Sequence, residues 1–381
     1  MSLLESPPSD EAKASTDGDA RDKPGSLLPV IRIIPAEAYE NPTWKGMLYF
    51  ARDMAIYIAA VVGLFLFDNI FISAGLMLIA VMSVAALFIL GHDTAHQALF
   101  KSRKLNDLVG HIVMLPSWHV YEGWVLGHNR IHHKYTVRQG FDFVWHPYTT
   151  EQWAEMSGYE KARHRLEWSW LGAGFYYGRE VWWHKMMVGK PPARSAKIIR
   201  RDRWIVTAFI AGTILPTIAA GYVRYDGNVL NALVLAGKMW VVPCLGFFYV
   251  VGSFVHVHHI QPTIRWWSRR EWTKFKGQME GTTVLRMVPG ANFFFHWIMV
   301  HIPHHVDVRI PMYNLELAAD AIRENFPETV HDEKLRFRDF ISNTQKCKLY
   351  DFEEGHWLTY GEADQRIAEG KIEATPTPVT A

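Results

Sequence analysis

The sequence predicts an all-α membrane protein: four transmembrane helices arranged as two hairpins, with a cytoplasmic helical domain that binds metal. Three observations predict it. Four apolar stretches come in two pairs, and only a few residues divide each pair. Lys and Arg gather on one side of those pairs. Nine histidines sit in spaced clusters beside the stretches, at His92/His96, His128/His132/His133, His259 and His301/His304/His305.

The spans follow from length, since about 20 apolar residues cross a bilayer. The first is expected at 47–67; its apolar run from 54 to 67 is short and needs the residues before it. The second, 70–90, is an uninterrupted apolar run. The third is 204–223 and the fourth 233–255, the latter broken by Lys238. Asp68 and Asn69 separate the first pair, and a turn around Tyr225, Asp226 and Gly227 separates the second. Each pair therefore crosses and returns.

Charge sets the orientation. Lys101, Arg103 and Lys104 follow the second span, a run from Arg194 to Arg203 precedes the third, and Arg265 to Lys276 follow the fourth. The turns carry almost no Lys or Arg apart from Arg224. Positive residues stay cytoplasmic, so both hairpins open toward the cytoplasm. All nine clustered histidines then fall on that side. The stretch 159–187 mixes charges with Trp and Tyr and reads as one amphipathic helix lying at the interface.

Composition bounds the remaining classes. The net charge of +2 gives no reason to expect a nucleic-acid partner. The two cysteines, Cys244 and Cys347, exclude a disulfide scaffold, a Cys-ligated zinc site and a Cys-ligated iron–sulfur cluster. The 16 Trp and 15 Tyr suit a protein with long membrane–water boundaries. Residues 1–30 are polar, Pro-containing and without a secretory start, and read as a disordered cytoplasmic tail. Residues 31–325 form the domain that holds spans and clusters. Residues 326–381 read as a cytoplasmic extension with a disordered end.

The clusters carry the chemistry. His92 and His96 are four apart, which puts both on one face of a continuing helix. His128 and His132 repeat that spacing and His133 adds a third ring; His301, His304 and His305 offer spacings of three and four. Each cluster is expected to aim its nitrogens at one point. One such pair is ordinarily structural, but three clusters plus His259 on one membrane side point to metal. Imidazole suits iron, zinc and copper, and nine ligands exceed what one ion takes, so the centre reads as dinuclear. His256 and His258 are candidates for supporting the ligands or meeting lipid headgroups, His296 for an extra ligand, and His146 for a structural role. Asp93, Asp142 and Asp307 are the carboxylates best placed to orient ligating rings.

At these residues the chain resembles the membrane fatty acid desaturase superfamily, and within it the bacterial, Δ12-desaturase-like acyl-lipid branch. The resemblance covers roughly residues 30 to 325. It rests on Gly91-His92-Asp93-Thr94-Ala95-His96, on the second cluster followed by Phe141-Asp142-Phe143-Val144-Trp145, on His259 seven residues before Trp266, and on His301 to His305 followed by Ile310-Pro311 and Tyr313-Asn314-Leu315. Two features depart from the pattern: three residues, not two, divide His128 from His132, and Trp297 stands where a polar residue often precedes the third cluster. The longer spacing is shared with alkane hydroxylases.

The resemblance implies two Fe ions held by His92, His96, His128, His132, His133, His259, His301, His304 and His305, with O2 as co-substrate. It implies an integral protein of the bacterial inner membrane, with active site and both termini cytoplasmic, that oxidises a fatty acyl chain. Desaturation is the expected outcome; hydroxylation and oxidative decarboxylation to a terminal alkene are the alternatives. No dinucleotide or Cys-rich redox motif is present, so electrons must come from an external ferredoxin-like donor, which the basic runs would attract. A His-rich metal transporter is the non-enzyme alternative, but it should carry its ligands at mid-span, and these clusters lie outside the predicted spans. A zinc hydrolase needs only three ligands and an open position.

Overall fold

The computed structural model describes residues 24–371, and these are mostly helical. Four helices are long and apolar enough to cross a membrane: Thr43–Leu66, Ile70–Ala95, Ala193–Arg224 and Val229–His259. All four predicted spans are present, and each is longer than expected. The second helix does not stop at residue 90. It runs on through His92 to Ala95, so His92 lies inside the helix and His96 caps it. The fourth likewise carries His259 as its last residue.

The hairpins are built by ordinary rules. Asn69 caps the second helix by accepting from the backbone N–H groups of Phe71 and Ile72. Asn228 caps the fourth by accepting from that of Asn231. The tight turn before it needs positive φ at Asp226 and Gly227. Small residues let helices approach: a Cβ added at Gly221 would lie 2.9 Å from the Cα of Ala232, and one at Gly246 would lie 2.5 Å from the Val81 side chain.

The two turns are tied to each other. Asp68 pairs with Arg224 at 2.9 Å and with Lys238 at 3.2 Å, and accepts from the Tyr225 hydroxyl at 2.6 Å. Lys238, which interrupts the fourth span, thus reaches out to the turn end of the bundle. With both turns at one end, the last turns of the second and fourth helices meet at the other.

A buried polar contact holds the first helix to the segment before the third histidine cluster. His296 Nε2 lies 2.7 Å from Asp53, which Arg52 also contacts at 2.6 Å. Arg52 donates to the Phe293 carbonyl as well, at 2.7 Å. Neither Arg52 nor Asp53 stands out in a sequence reading of this span.

Three expectations need correction. The stretch 159–187 is not one interfacial helix: Gly158–Glu167 ends at Trp168, and a second piece, Ala173–Tyr176 and Tyr177–Val188, follows. The break buries Trp168, Tyr177 and Val181 in the main core, where a single surface helix would leave them at the interface. The tail boundary at 30 falls inside the helix Leu28–Ile33, and Leu27 and Val30 are buried. The rest of that expected tail, residues 1–23, lies outside the described residues, as do 372–381.

The third correction concerns residues beyond 325, which pack into the body. Strand β1 (Val284–Arg286) pairs in parallel with β2 (Asp332–Lys334), and β3 (Leu349–Asp351) forms an antiparallel pair with β4 (His356–Leu358). The Tyr350 hydroxyl accepts from the Trp266 backbone N–H at 2.9 Å, and Lys348 donates to the Trp168 carbonyl at 2.7 Å.

Candidate metal centre

All nine clustered histidines converge at the end of the bundle away from the turns. They divide into two sets. His92, His96, His128, His133 and His304 form one; His132, His259, His301 and His305 form the other. Within each set, one nitrogen per ring lies within 4.8 Å of the others.

The division differs from the sequence expectation. The first cluster does aim both rings at one point, as its helical spacing requires. The second does not. Val125–His132 is π-helical, with i→i+5 bonding. That wider turn puts His128 and His133 on one face and turns His132 to the other set. The third cluster is split as well: His304 joins the first set, while His301 and His305, one α-helical turn apart, join the second.

The chemistry of these rings suits a metal. His92, His96, His259 and His305 each have a buried Nε2 with no hydrogen-bond partner. His133 and His304 bring their Nε2 atoms within 3.0 Å of each other. Burial, reinforced by neighbouring imidazoles, holds His96, His128, His133, His301, His304 and His305 well below the usual histidine range. The rings are therefore neutral at pH 7 and keep a lone pair, which is what a metal ligand needs.

The opposite ring nitrogens are oriented by acceptors. His132 Nδ1 faces Asp142 at 2.9 Å, His305 Nδ1 faces Gln278 Oε1 at 2.7 Å, His259 Nδ1 faces the Gly281 carbonyl at 2.8 Å, and His301 Nδ1 faces the Ile298 carbonyl at 3.1 Å. Each acceptor needs the proton on Nδ1 and so points the Nε2 lone pair inward. Burial alone would raise the Asp142 carboxyl, but His132 and the Val144 N–H hold it below the usual carboxylate range.

Of the three expected carboxylates, Asp142 fits this role. Asp93 lies 3.5 Å from His92 Nδ1 and accepts from the Met312 N–H. Asp307 faces no histidine; it pairs with Arg309 and Tyr39. Gln278 and the two carbonyls are not legible in the sequence, because nothing in a polar stretch marks one glutamine, and a carbonyl has no sequence signature.

The other histidines separate clearly. His258 stacks on His301 with ring centroids 3.9 Å apart, but belongs to neither set. His256 packs among Trp145, Trp168 and Phe340. His296 is taken by Asp53 and is no extra ligand. His146 accepts from the Gly140 N–H, a structural contact.

An apolar cleft opens onto the histidines. Ala85, Phe88 and Ile89 of the second helix and Val251 and Phe254 of the fourth form its walls, and His92, His128, His132 and His301 lie at its inner end. The cleft is lined mostly by apolar side chains, and its walls turn polar where the histidines begin.

The fatty acid desaturase family profile matches residues 68–334, which takes in every one of these histidines. The chain belongs to the fatty acid desaturase family. It is 29% identical to an sn-1 oleoyl-lipid 12-desaturase of Anabaena variabilis, over 87% of this chain and 91% of that one. It is 26% identical to a chloroplastic omega-6 fatty acid desaturase of Glycine max, over 86% of this chain and 74% of the relative. It is also 29% identical to an sn-1 acyl-lipid omega-3 desaturase (ferredoxin) of Nostoc sp. (strain 36), over 84% of this chain and 86% of that one. This desaturase is thus an oxidoreductase of fatty acyl chains and an integral membrane protein, on the bacterial Δ12-desaturase-like side of the family. Hydroxylation and decarboxylation are not favoured by these relatives, and metal binding agrees with both family and histidine sets.

Proposed function

We propose that this desaturase inserts a double bond at the Δ12 position of an oleoyl chain carried on a membrane lipid, using O2 and two irons held by the nine histidines. The observation that carries the reading is the convergence of all nine rings in two sets, with rings from both sets, His92, His128, His132 and His301, lining an apolar cleft. The names of the cyanobacterial relatives support substrate and position. Five rings would hold one iron and four the other.

The bound irons supply the chemistry that reduces O2 and removes hydrogen from two adjacent methylenes. The balance takes in one O2, two electrons and two protons, and returns an alkene and two waters. The chain's own residues do the rest. Phe88, Phe254 and their neighbours exclude water and hold the acyl chain against the histidines. Reacting atoms must approach within about 3–3.5 Å, so the depth to which the chain enters selects the carbon attacked. Asp142 and Gln278 hold His132 and His305 in the ligating tautomer.

The electrons come from an external small acidic carrier; the ferredoxin in the name of the Nostoc relative is the kind that fits. In this reading the histidine end and both termini lie on the cytoplasmic side of a bacterial inner membrane, an orientation that the flanking Lys and Arg support. The test is lipid analysis by gas chromatography–mass spectrometry after expression in cells that make oleoyl lipids and ferredoxin. A Δ12 double bond absent from a His304→Ala control is expected, with iron in the purified protein. A hydroxy acid, a terminal alkene or zinc in place of iron would overturn the reading.

A further inference from the structure

Two arginines share one aromatic ring with no carboxylate between them. The guanidinium carbons of Arg138 and Arg269 each lie 4.8 Å from the centroid of Phe141. Arg138 also lies 5.7 Å from the Trp272 ring. Among the described residues neither arginine has an ion-pair partner, and Arg138 Nε is buried without a hydrogen bond. Nearby, Arg265, which pairs with Glu271 at 3.4 Å, and Lys276 crowd a second ring, at 4.2 and 3.9 Å from Trp267.

These residues form one face. Backbone hydrogen bonds from Trp267 to Val137 and from Gln139 to Trp267 join the segments 134–141 and 265–280. Together the two segments carry seven Lys and Arg against two Glu. Like charges held this close repel, and the arrangement is relieved by an incoming carboxylate, which a guanidinium binds through two hydrogen bonds.

The face lies directly over the histidines. The half-buried Trp272 donates its indole N–H to the Thr136 carbonyl at 2.8 Å. The Thr136 hydroxyl lies 3.3 Å from His305 Nδ1 and donates to the His132 carbonyl at 2.6 Å. One residue thus separates a surface ring from the second histidine set.

We propose that Arg138 and Arg269, on the aromatic shelf of Phe141 and Trp272, dock an acidic one-electron carrier protein, with Trp272 and Thr136 as the way in to His305. The proposal rests on the function given above. Two reduced carriers each give up one electron per double bond; O2 accepts both, together with two protons and the two acyl hydrogens, and leaves as two waters.

The test uses the full-length, iron-loaded chain in phosphatidylcholine nanodiscs, with a plant-type [2Fe–2S] ferredoxin as the probe. Ferredoxin binding is measured by surface plasmon resonance, and turnover is driven by reduced ferredoxin or by reduced methyl viologen, which needs no docking face. In Arg138→Glu/Arg269→Glu, ferredoxin affinity and kcat/KM for ferredoxin should both fall about tenfold or more. Iron content and the viologen-driven rate should stay at wild-type levels. If the double variant loses iron, Arg269→Glu alone, at an exposed position, should show the same selective loss to a smaller degree. Ferredoxin affinity and kcat/KM within about twofold of wild type in an iron-loaded variant would overturn the proposal. So would a defect that appears only in discs containing anionic lipid, which would assign the face to headgroups. A wild type driven by viologen but not ferredoxin would overturn the docking alone; one driven by neither would overturn the function as well.

Discussion

His132 and His133 are adjacent in the chain and serve different nitrogen clusters: His132 faces His259 and His305, and His133 faces His96 and His304. The π-helical turn that leads into His133 makes one short segment the bridge between the two histidine sets. In an α-helix residues five apart lie about 140° apart around the axis, whereas here the i→i+5 pattern aligns His128 with His133. The extra residue between His128 and His132 is accommodated in this turn.

The division predicts separable metal losses. If the proposed centre holds two irons, His133→Ala should empty the five-histidine set and His132→Ala the four-histidine set, each leaving about one iron per chain. Both should abolish product while the protein still inserts in the membrane. Iron analysis of the purified variants is the check; wild-type iron in either would remove that residue from the ligand set.

The acceptors behind the rings should matter nearly as much as the rings. Asp142→Asn keeps the shape and removes the charge facing His132. Gln278→Ala leaves His305 Nδ1 with only the longer Thr136 contact. Each should cost on the order of 10–100-fold in activity or metal affinity. Metal titration of the apo variants separates the two effects.

The cleft predicts a chain-length change. Ala85 stands seven residues before His92 on the same helix, roughly 10 Å further along the axis. Ala85→Phe should narrow the cleft at that depth and lower turnover on long acyl chains more than on short ones. Competition between acyl lengths, read by gas chromatography, measures this; an unchanged preference would place the chain's path elsewhere.

The Asp53–His296 contact predicts a stability effect from a residue remote from the histidine sets. Asp53 is buried, and removing it leaves His296 Nε2 without its acceptor and Arg52 with only the Phe293 carbonyl. Asp53→Ala should destabilise by about 1–3 kcal/mol, the cost of leaving a buried polar group without its hydrogen-bond partner. Thermal unfolding in detergent tests it. His296 lies in the segment leading to His301, so the third cluster should be the first part of the site to lose order.

Much of this molecule could be read from residues in order. The four helices were legible because burial in lipid demands long apolar runs, and their pairing because two short polar breaks leave no other path. The nine histidines were legible because imidazoles at spacings of three and four are unusual beside such runs. Tertiary structure alone decided how those nine divide, because a π-turn and an α-turn are written in the same residues and differ only in which carbonyl each N–H finds. It decided that His296 answers Asp53 across 243 positions. It also decided that Gln278, the Gly281 carbonyl and the Ile298 carbonyl complete the site, since a hydrogen-bond acceptor becomes specific only when folding sets it against a particular ring. Local composition specified where the chain meets lipid and which atoms can bind metal; the long-range packing of the helix ends specified which of those atoms meet.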